Sequence, residues 1–137
     1  QFYLEKNPDL IWFIENPQSG RLKDRDIVKD IPFYDVDYCK YSDWGYRKRT
    51  RIWTNKEDWN NLMCQKDCDN IIDGLHKSRM GTSKSIIDNG KLIRVNTAEL
   101  RIKYKDYKNE NDTLNTDTTK LDRYRIPEDL IYSLFLE

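Results

Sequence analysis

The sequence predicts an α/β fold with a small irregular lobe, and three observations predict it. Residues 10–14 form an uninterrupted apolar run with β-branched and aromatic members, which is typical of a strand buried on both faces of a parallel sheet. Residues 60–90 contain three of the five glycines and show little periodicity. Pro127, Glu128 and Asp129 suit a first helical turn, and apolar residues follow them on a helical stripe.

We therefore divide the chain into three parts. Residues 1–55 form the sheet, because residues 33–41 alternate and residues 50–55 read as a second strand beyond a turn at Gly45. Residues 56–120 form the irregular lobe, which ends in a polar run at 108–120 that predicts a mobile loop. Residues 121–137 contain the closing helix.

Composition limits the classes of function. The 137 residues include 24 Lys+Arg and 24 Asp+Glu, so bulk electrostatic attraction to polyanions is excluded as the binding principle. No stretch approaches the ~20 apolar residues of a membrane span, and no signal peptide is recognisable. We expect an intracellular protein of the cytoplasm or nucleus, or of a virion or virus-infected cell. Because the chain starts without Met and meets an apolar run early, we also expect a fragment or a processed product.

Two polar motifs follow or occupy predicted strands. Glu15-Asn16-Pro17 ends the first strand, where α/β sheets usually keep ligands, although such a sequence is also a common turn. Arg47, Arg49 and Arg51 alternate along a later strand and would form a strongly cationic face, with Lys48 on the opposite side. A short basic run is also typical of a solvated surface.

Together, these motifs resemble those of DNA (cytosine-5)-methyltransferases, and the similarity is closest to the algal-virus and phage branch. That family carries Glu-Asn-Val or Glu-Asn-Pro at a strand end and Arg-x-Arg-Ile-aromatic on a later strand. Here Glu15-Asn16-Pro17 and Arg49-Thr50-Arg51-Ile52-Trp53 match them in order. The resemblance covers most of the chain from Trp12 onward. It implies the C-terminal half of a Rossmann-like methyltransferase sheet with a small irregular lobe.

The resemblance also implies roles for individual residues. In the family a Cys thiolate attacks carbon 6 of a flipped cytosine, and S-adenosylmethionine supplies the methyl group. Glu15 would make the ring electron-poor at N3 and the exocyclic amine, and Arg51 would hold the base in the same pocket. The expected DNA-binding residues are Asn16, Arg47, Lys48 and Arg49.

The sequence departs from the family pattern in two respects. No Gly-rich loop for S-adenosylmethionine follows a strand, and none of the three cysteines follows a proline. The resemblance therefore implies a chain that is inactive alone and binds the cofactor mostly through residues outside it. DNA is the expected substrate, and an N-terminal methyltransferase half or another protein subunit is the expected partner.

All cysteines and the only histidine form a second constellation: Cys39, Cys64, Cys68 and His76. An odd, low number of cysteines disfavours a disulfide framework and indicates reduced thiols. Four such ligands complete one tetrahedral zinc site, and a weakly periodic segment is one that a metal can order. The alternative interpretation is a buried Cys39, two free thiols and a surface loop that contains His76.

Two other functions compete with methyltransferase chemistry. A DNA-binding module would keep the basic surface without catalysis, and its DNA binding would depend on salt but not on cofactor. A structural or assembly protein that reuses the fold would make protein contacts and show no DNA affinity.

Overall fold

A computed structural model of the protein describes residues 2–80, 84–96, 99, 102–103 and 121–136. The predicted mobile loop at 108–120 lies outside these described residues. The main sheet consists of β1 (Phe13–Pro17), β2 (Phe33–Asp37) and β3 (Arg49–Thr54), in the strand order β1-β3-β2, and both pairings are antiparallel. Helix α1 (Phe2–Lys6) precedes this sheet along the chain, and helix α2 (Glu128–Leu136) follows it.

The general α/β class is confirmed, but the parallel strand predicted at residues 10–14 is wrong. The strand starts at Phe13, pairs antiparallel with β3 and lies at the edge of the sheet. Leu10 and Ile11 precede it and are each 43% exposed. An apolar run does not by itself distinguish a central strand from an edge strand, because both contain the same residue types.

Side chains of the main sheet alternate between two faces. Glu15, Ile52 and Tyr34 are aligned across the three strands on the face that we call the inner face. Asn16, Arg51 and Asp35 are aligned one residue further along, on the outer face.

Helix α2 covers the inner face and completes the main core. Leu130 and Leu134 are buried in one cluster with Val36 and Ile52. Polar contacts also hold the helix: Trp59 Nε1 donates to Ser133 Oγ at 2.9 Å, and Lys56 Nζ donates to Leu134 O at 2.8 Å. The second contact places a cation at the carboxyl end of the helix, where the last carbonyl groups lack intrahelical partners. The helix lies where the pattern around Pro127 predicts one.

The lobe is more regular than its weak periodicity predicts. It contains two hairpins, one of β4 (Ile71–Ile72) and β5 (Leu75–His76), the other of β6 (Lys84–Asp88) and β7 (Lys91–Val95). Asp73-Gly74 and Asn89-Gly90 connect them, all with positive φ, which is the geometry of the two-residue turns favoured in hairpins. Before the first hairpin, residues 56–70 contain no helix or strand.

Within the described part of the chain, no helix combines the length and the apolar character that a membrane crossing requires.

Candidate functional site

Glu15 lies on the inner face in the middle of β1 rather than at a strand end as predicted, and two buried side chains hold its carboxylate. Oε1 accepts a hydrogen bond from the Tyr38 hydroxyl at 2.9 Å and lies 3.4 Å from Lys48 Nζ. The Glu15 side chain keeps 26% of its surface exposed, whereas that of Lys48 keeps 8%. Lys48 Nζ also lies 4.7 Å from the centre of the Tyr38 ring. The carboxylate is therefore oriented from the protein side and still reachable from solvent.

The two partners of Glu15 differ in what they add to this arrangement. Burial, and then the negative charge of Glu15, raise the pKa of Tyr38, so the phenol stays protonated and donates its hydrogen. Lys48 Nζ donates a second hydrogen bond to Arg123 O at 2.8 Å. Lys48 thereby links the carboxylate on β1 to the short 3₁₀ turn before α2. Neither partner was assigned this role from the sequence.

Arg49 and Arg51 lie on the outer face, where acids of β2 pair with them. Arg51 makes two hydrogen bonds to Asp35, at 2.8 and 2.9 Å, which raise the pKa of the guanidinium. Arg49 makes two to Asp37, at 3.0 and 2.8 Å. Arg47 Nε is 3.8 Å from Asp37 Oδ1. The predicted strongly cationic face is therefore wrong, because the two acids neutralise most of its charge.

The two predicted catalytic residues do not meet. Glu15 is paired with Ile52 in the register of β1 and β3, so the neighbouring Arg51 projects from the opposite face. The Arg51 guanidinium instead lies 3.7 Å from the centre of the Phe33 ring. The cation that accompanies Glu15 on its own face is Lys48.

The four predicted DNA-binding residues differ widely in exposure. Arg47 is the most open, with 45% of its side chain exposed, whereas Lys48 is buried and Arg49 is partly covered. Asn16 packs against the turn after β1: a Cβ on Gly20 would lie 2.2 Å from Asn16 Oδ1. A larger residue at position 20 would have to displace the Asn16 side chain, and its Cβ would also lie 2.9 Å from the backbone oxygen of Pro17. Arg47 is the member of this set best placed to reach a phosphate.

The structure brings together all four predicted metal ligands. The three Sγ atoms and a ring nitrogen of Cys39, Cys64, Cys68 and His76 lie within 4.8 Å of one another. The distance from Cys64 Sγ to His76 Nε2 is 3.5 Å. Cys39 and Cys64 are buried, the other two residues are half-buried, and all three cysteines are free thiols. The cluster is a compact set of soft donor atoms.

The environment of the cluster shifts the pKa values of its members in different directions. Burial raises the pKa of Cys39. Burial acts in the same direction on Cys64, but hydrogen bonds from Lys66 N–H and the neighbouring thiols outweigh it and lower the pKa of Cys64. Burial, and then the charges of Arg47 and Arg94, lower the pKa of His76, which favours the neutral imidazole. A thiolate and a neutral imidazole are the forms that coordinate metals.

A cavity of about 630 Å³ lies beside the cluster and includes Cys39 and Cys68 in its wall. Its charged lining is mainly acidic, with Lys40 and Lys77 as the basic residues. The acidic members are Asp43, Asp67, Asp69, Glu128 and Asp129. An excess of carboxylates makes the cavity a poor match for a DNA phosphate.

Sequence reasoning missed the acids that pair with the basic strand. Asp35 and Asp37 are separated by one residue on β2, as Arg49 and Arg51 are on β3. The sequence therefore contained two acids with the same alternating spacing as the two arginines. A search for acids at this spacing on a neighbouring strand would have found them.

A known protein matches part of the chain. No protein-family model matches the chain. Over 62 residues the chain is 47% identical to a protein of Frog virus 3 (isolate Goorha) described as a probable DNA (cytosine-5)-methyltransferase. The aligned stretch covers 44% of this chain and spans 28% of that relative's length. The resemblance to DNA (cytosine-5)-methyltransferases that the two motifs indicate is thus confirmed as a partial match.

Proposed function

We propose that the chain is the C-terminal portion of a DNA cytosine-5 methyltransferase, in which Glu15 contacts the target cytosine. DNA is the substrate, and S-adenosylmethionine is the methyl donor of the complete enzyme. The observation that carries the proposal is the oriented carboxylate of Glu15 on β1, in a chain with 47% identity over 62 residues to a probable enzyme of this class.

The geometry around Glu15 suits contact with a base. Among the described residues, the polar contacts of this carboxylate are made through Oε1, with Tyr38 and Lys48. Oε2 can then accept a hydrogen bond from the exocyclic amine of cytosine. Because its two partners are buried, the carboxylate needs little reorganisation when the base arrives.

The arginines take supporting roles in this proposal. Arg51 is a positioning residue, since its two hydrogen bonds to Asp35 hold β3 against β2 and so stabilise the sheet that carries Glu15. Arg47 contacts DNA phosphate, because its side chain is exposed and lies at the margin of the sheet. Arg49 supports the pairing of β2 with β3 through Asp37.

The residues of this chain do not fit the cofactor by themselves. Its glycines are isolated, and Cys39, Cys64 and Cys68 all lack a preceding proline. We therefore assign no step of methyl transfer or thiolate attack to this chain. A complementary polypeptide, or another part of the same polypeptide, supplies both.

The test is methyl transfer from labelled S-adenosylmethionine to a cytosine-containing duplex. We expect no transfer by the chain alone, and transfer when it is joined or mixed with the part that supplies a Pro-Cys pair and a cofactor loop. Glu15→Gln should then lower the rate by about 100-fold or more, while the exposed control Glu57→Gln leaves it unchanged. Transfer by the chain alone, or an active Glu15→Gln enzyme, would refute the proposal.

A DNA-binding module without chemistry is the second candidate. It is favoured by the positions of Glu15 and Arg51 on opposite faces of the sheet. It predicts salt-dependent DNA binding without cofactor and no transfer with any complementary polypeptide. If the chain shows no DNA affinity in either setting, a structural or assembly role remains.

A further inference from the structure

We propose that Cys39, Cys64, Cys68 and His76 bind one zinc ion in a closed structural site that joins the lobe to the main sheet. The proposal goes beyond the function above and does not depend on it, because a metal could hold these segments together in an enzyme or in a binding module.

The spacing of the donor atoms suits a tetrahedral ion. Zinc–sulfur distances of ~2.3 Å and zinc–nitrogen distances of ~2.0 Å place two sulfurs ~3.8 Å apart, and a sulfur and a nitrogen ~3.5 Å apart. Cys64 Sγ and His76 Nε2 are 3.5 Å apart, and no two of the four donors are separated by more than 4.8 Å. Small side-chain adjustments therefore suffice to close the coordination sphere.

Three separate segments deliver these donors. Cys39 lies in the short 3₁₀ turn Tyr38–Lys40 that follows β2. Cys64 and Cys68 flank a tight loop in which Lys66 has a positive φ of 67°, which is uncommon for a residue with a side chain. His76 is the second residue of β5, the strand that follows the Asp73-Gly74 turn. Three segments that are separate in the sequence thus place their donor atoms close together.

The type and number of donors decide the metal and its role. Thiolates and imidazole are soft or borderline ligands, which exclude magnesium and calcium and favour zinc. Four protein ligands leave no open position for water or substrate, as in structural rather than catalytic zinc sites. A site of this type orders segments that have little regular structure of their own, as residues 56–70 do here.

The surroundings of Cys64 support the assignment. Lys66 N–H donates to Cys64 Sγ at 3.3 Å, which stabilises a thiolate at that position. The backbone N–H of Cys64 donates to Asp37 Oδ2 at 2.8 Å, and Asp37 is fully buried at the end of β2. This bond ties the loop to the main sheet. The metal would therefore sit at the junction between the sheet and the lobe.

The test uses the whole chain, purified under reducing conditions without added metal. We expect one equivalent of zinc by elemental analysis. Cobalt should replace it and give the visible absorption of a tetrahedral thiolate site. Cys68→Ser should lose most of the zinc, whereas the exposed neighbour control Asp69→Asn keeps it. Alkylation should modify all three cysteines only after a chelator has removed the metal.

A second measurement keeps the proposal testable if Cys68→Ser does not fold. Chelation of the wild-type chain should lower its thermal unfolding midpoint, and added zinc should restore it. Folded, metal-free protein with an unchanged midpoint would overturn the proposal, as would a disulfide between any two of the cysteines. One equivalent of iron in place of zinc would overturn the identity of the metal.

Discussion

Replacing Asp37 by Asn tests whether one buried acid holds the sheet and the cysteine loop together. The Asp37 side chain has 0% of its surface exposed. It accepts two hydrogen bonds from Arg49 and one from the backbone N–H of Cys64. All of these partners are hydrogen-bond donors, and a carboxylate suits them because both of its oxygens are acceptors. Asparagine keeps one oxygen and replaces the other by an NH₂ group that has no acceptor at this position.

The expected loss follows from these contacts. Leaving a buried polar group unsatisfied costs about 1–3 kcal/mol, and changing a charged acceptor to a neutral one weakens the remaining hydrogen bonds. The Arg49 side chain is 34% exposed, so its ion pair is screened and contributes only about 1 kcal/mol. We expect Asp37→Asn to lower the free energy of unfolding by about 2–4 kcal/mol in total.

Asp35→Asn provides the matched control. Asp35 lies two residues earlier on the same strand and pairs with Arg51 in the same two-bond geometry, but its side chain is 19% exposed. Water can satisfy the new amide there, so we expect a loss of about 1 kcal/mol. Urea unfolding followed by tryptophan fluorescence measures both variants. If they differ by less than about 0.5 kcal/mol, the reasoning from burial and donor pairing is refuted.

Two further predictions concern the closing helix and the loop between Cys64 and Cys68. Leu130→Ala should lower the free energy of unfolding by about 2–5 kcal/mol, because Leu130 is fully buried in the core. The control Leu136→Ala, at an exposed site, should change this free energy by less than about 0.5 kcal/mol. Equal effects of the two variants in urea unfolding would contradict the packing. Lys40 lowers the pKa of Asp67 to about 2, below the value of ~3.9 for an unfolded chain. The pair therefore stabilises the fold fully above about pH 3.9, and this stabilisation is lost as the pH falls through about 2. The thermal unfolding midpoint of Asp67→Asn should therefore fall less between pH 4 and pH 2 than that of the wild type or of the control Asp69→Asn. If the midpoints of all three proteins fall equally with pH, the Lys40–Asp67 pair does not contribute this stabilisation.

Local features of the chain were readable from the sequence. Pro127 followed by two acids indicates a helix start, and α2 begins at Glu128. The alternation of Arg49 and Arg51 places them on one face of a strand, as β3 has them. Both hairpins of the lobe were also readable from Asp73-Gly74 and Asn89-Gly90, but the weak apolar periodicity around these turns led to a prediction of irregular structure.

Long-range pairings were not readable in the same way. The apolar residues at 10–14 suit either strand direction, because residue type reports burial and not the neighbour across the sheet. The pairing of β1 with β3 decides that Glu15 and Arg51 face opposite sides. It also leaves Lys48, rather than an arginine, beside the carboxylate.

The sequence by itself determined the local turns and the helix start, since these depend on neighbours along the chain, and it indicated the four candidate metal ligands by residue type alone. Only the tertiary structure decided how these pieces meet. It brought Cys39 and His76 into one cluster with the cysteines between them, and it set Asp35 and Asp37 against the arginines. Such contacts join residues far apart in sequence, and they form only when packing of the whole chain offsets the entropy lost in closing the loops between them.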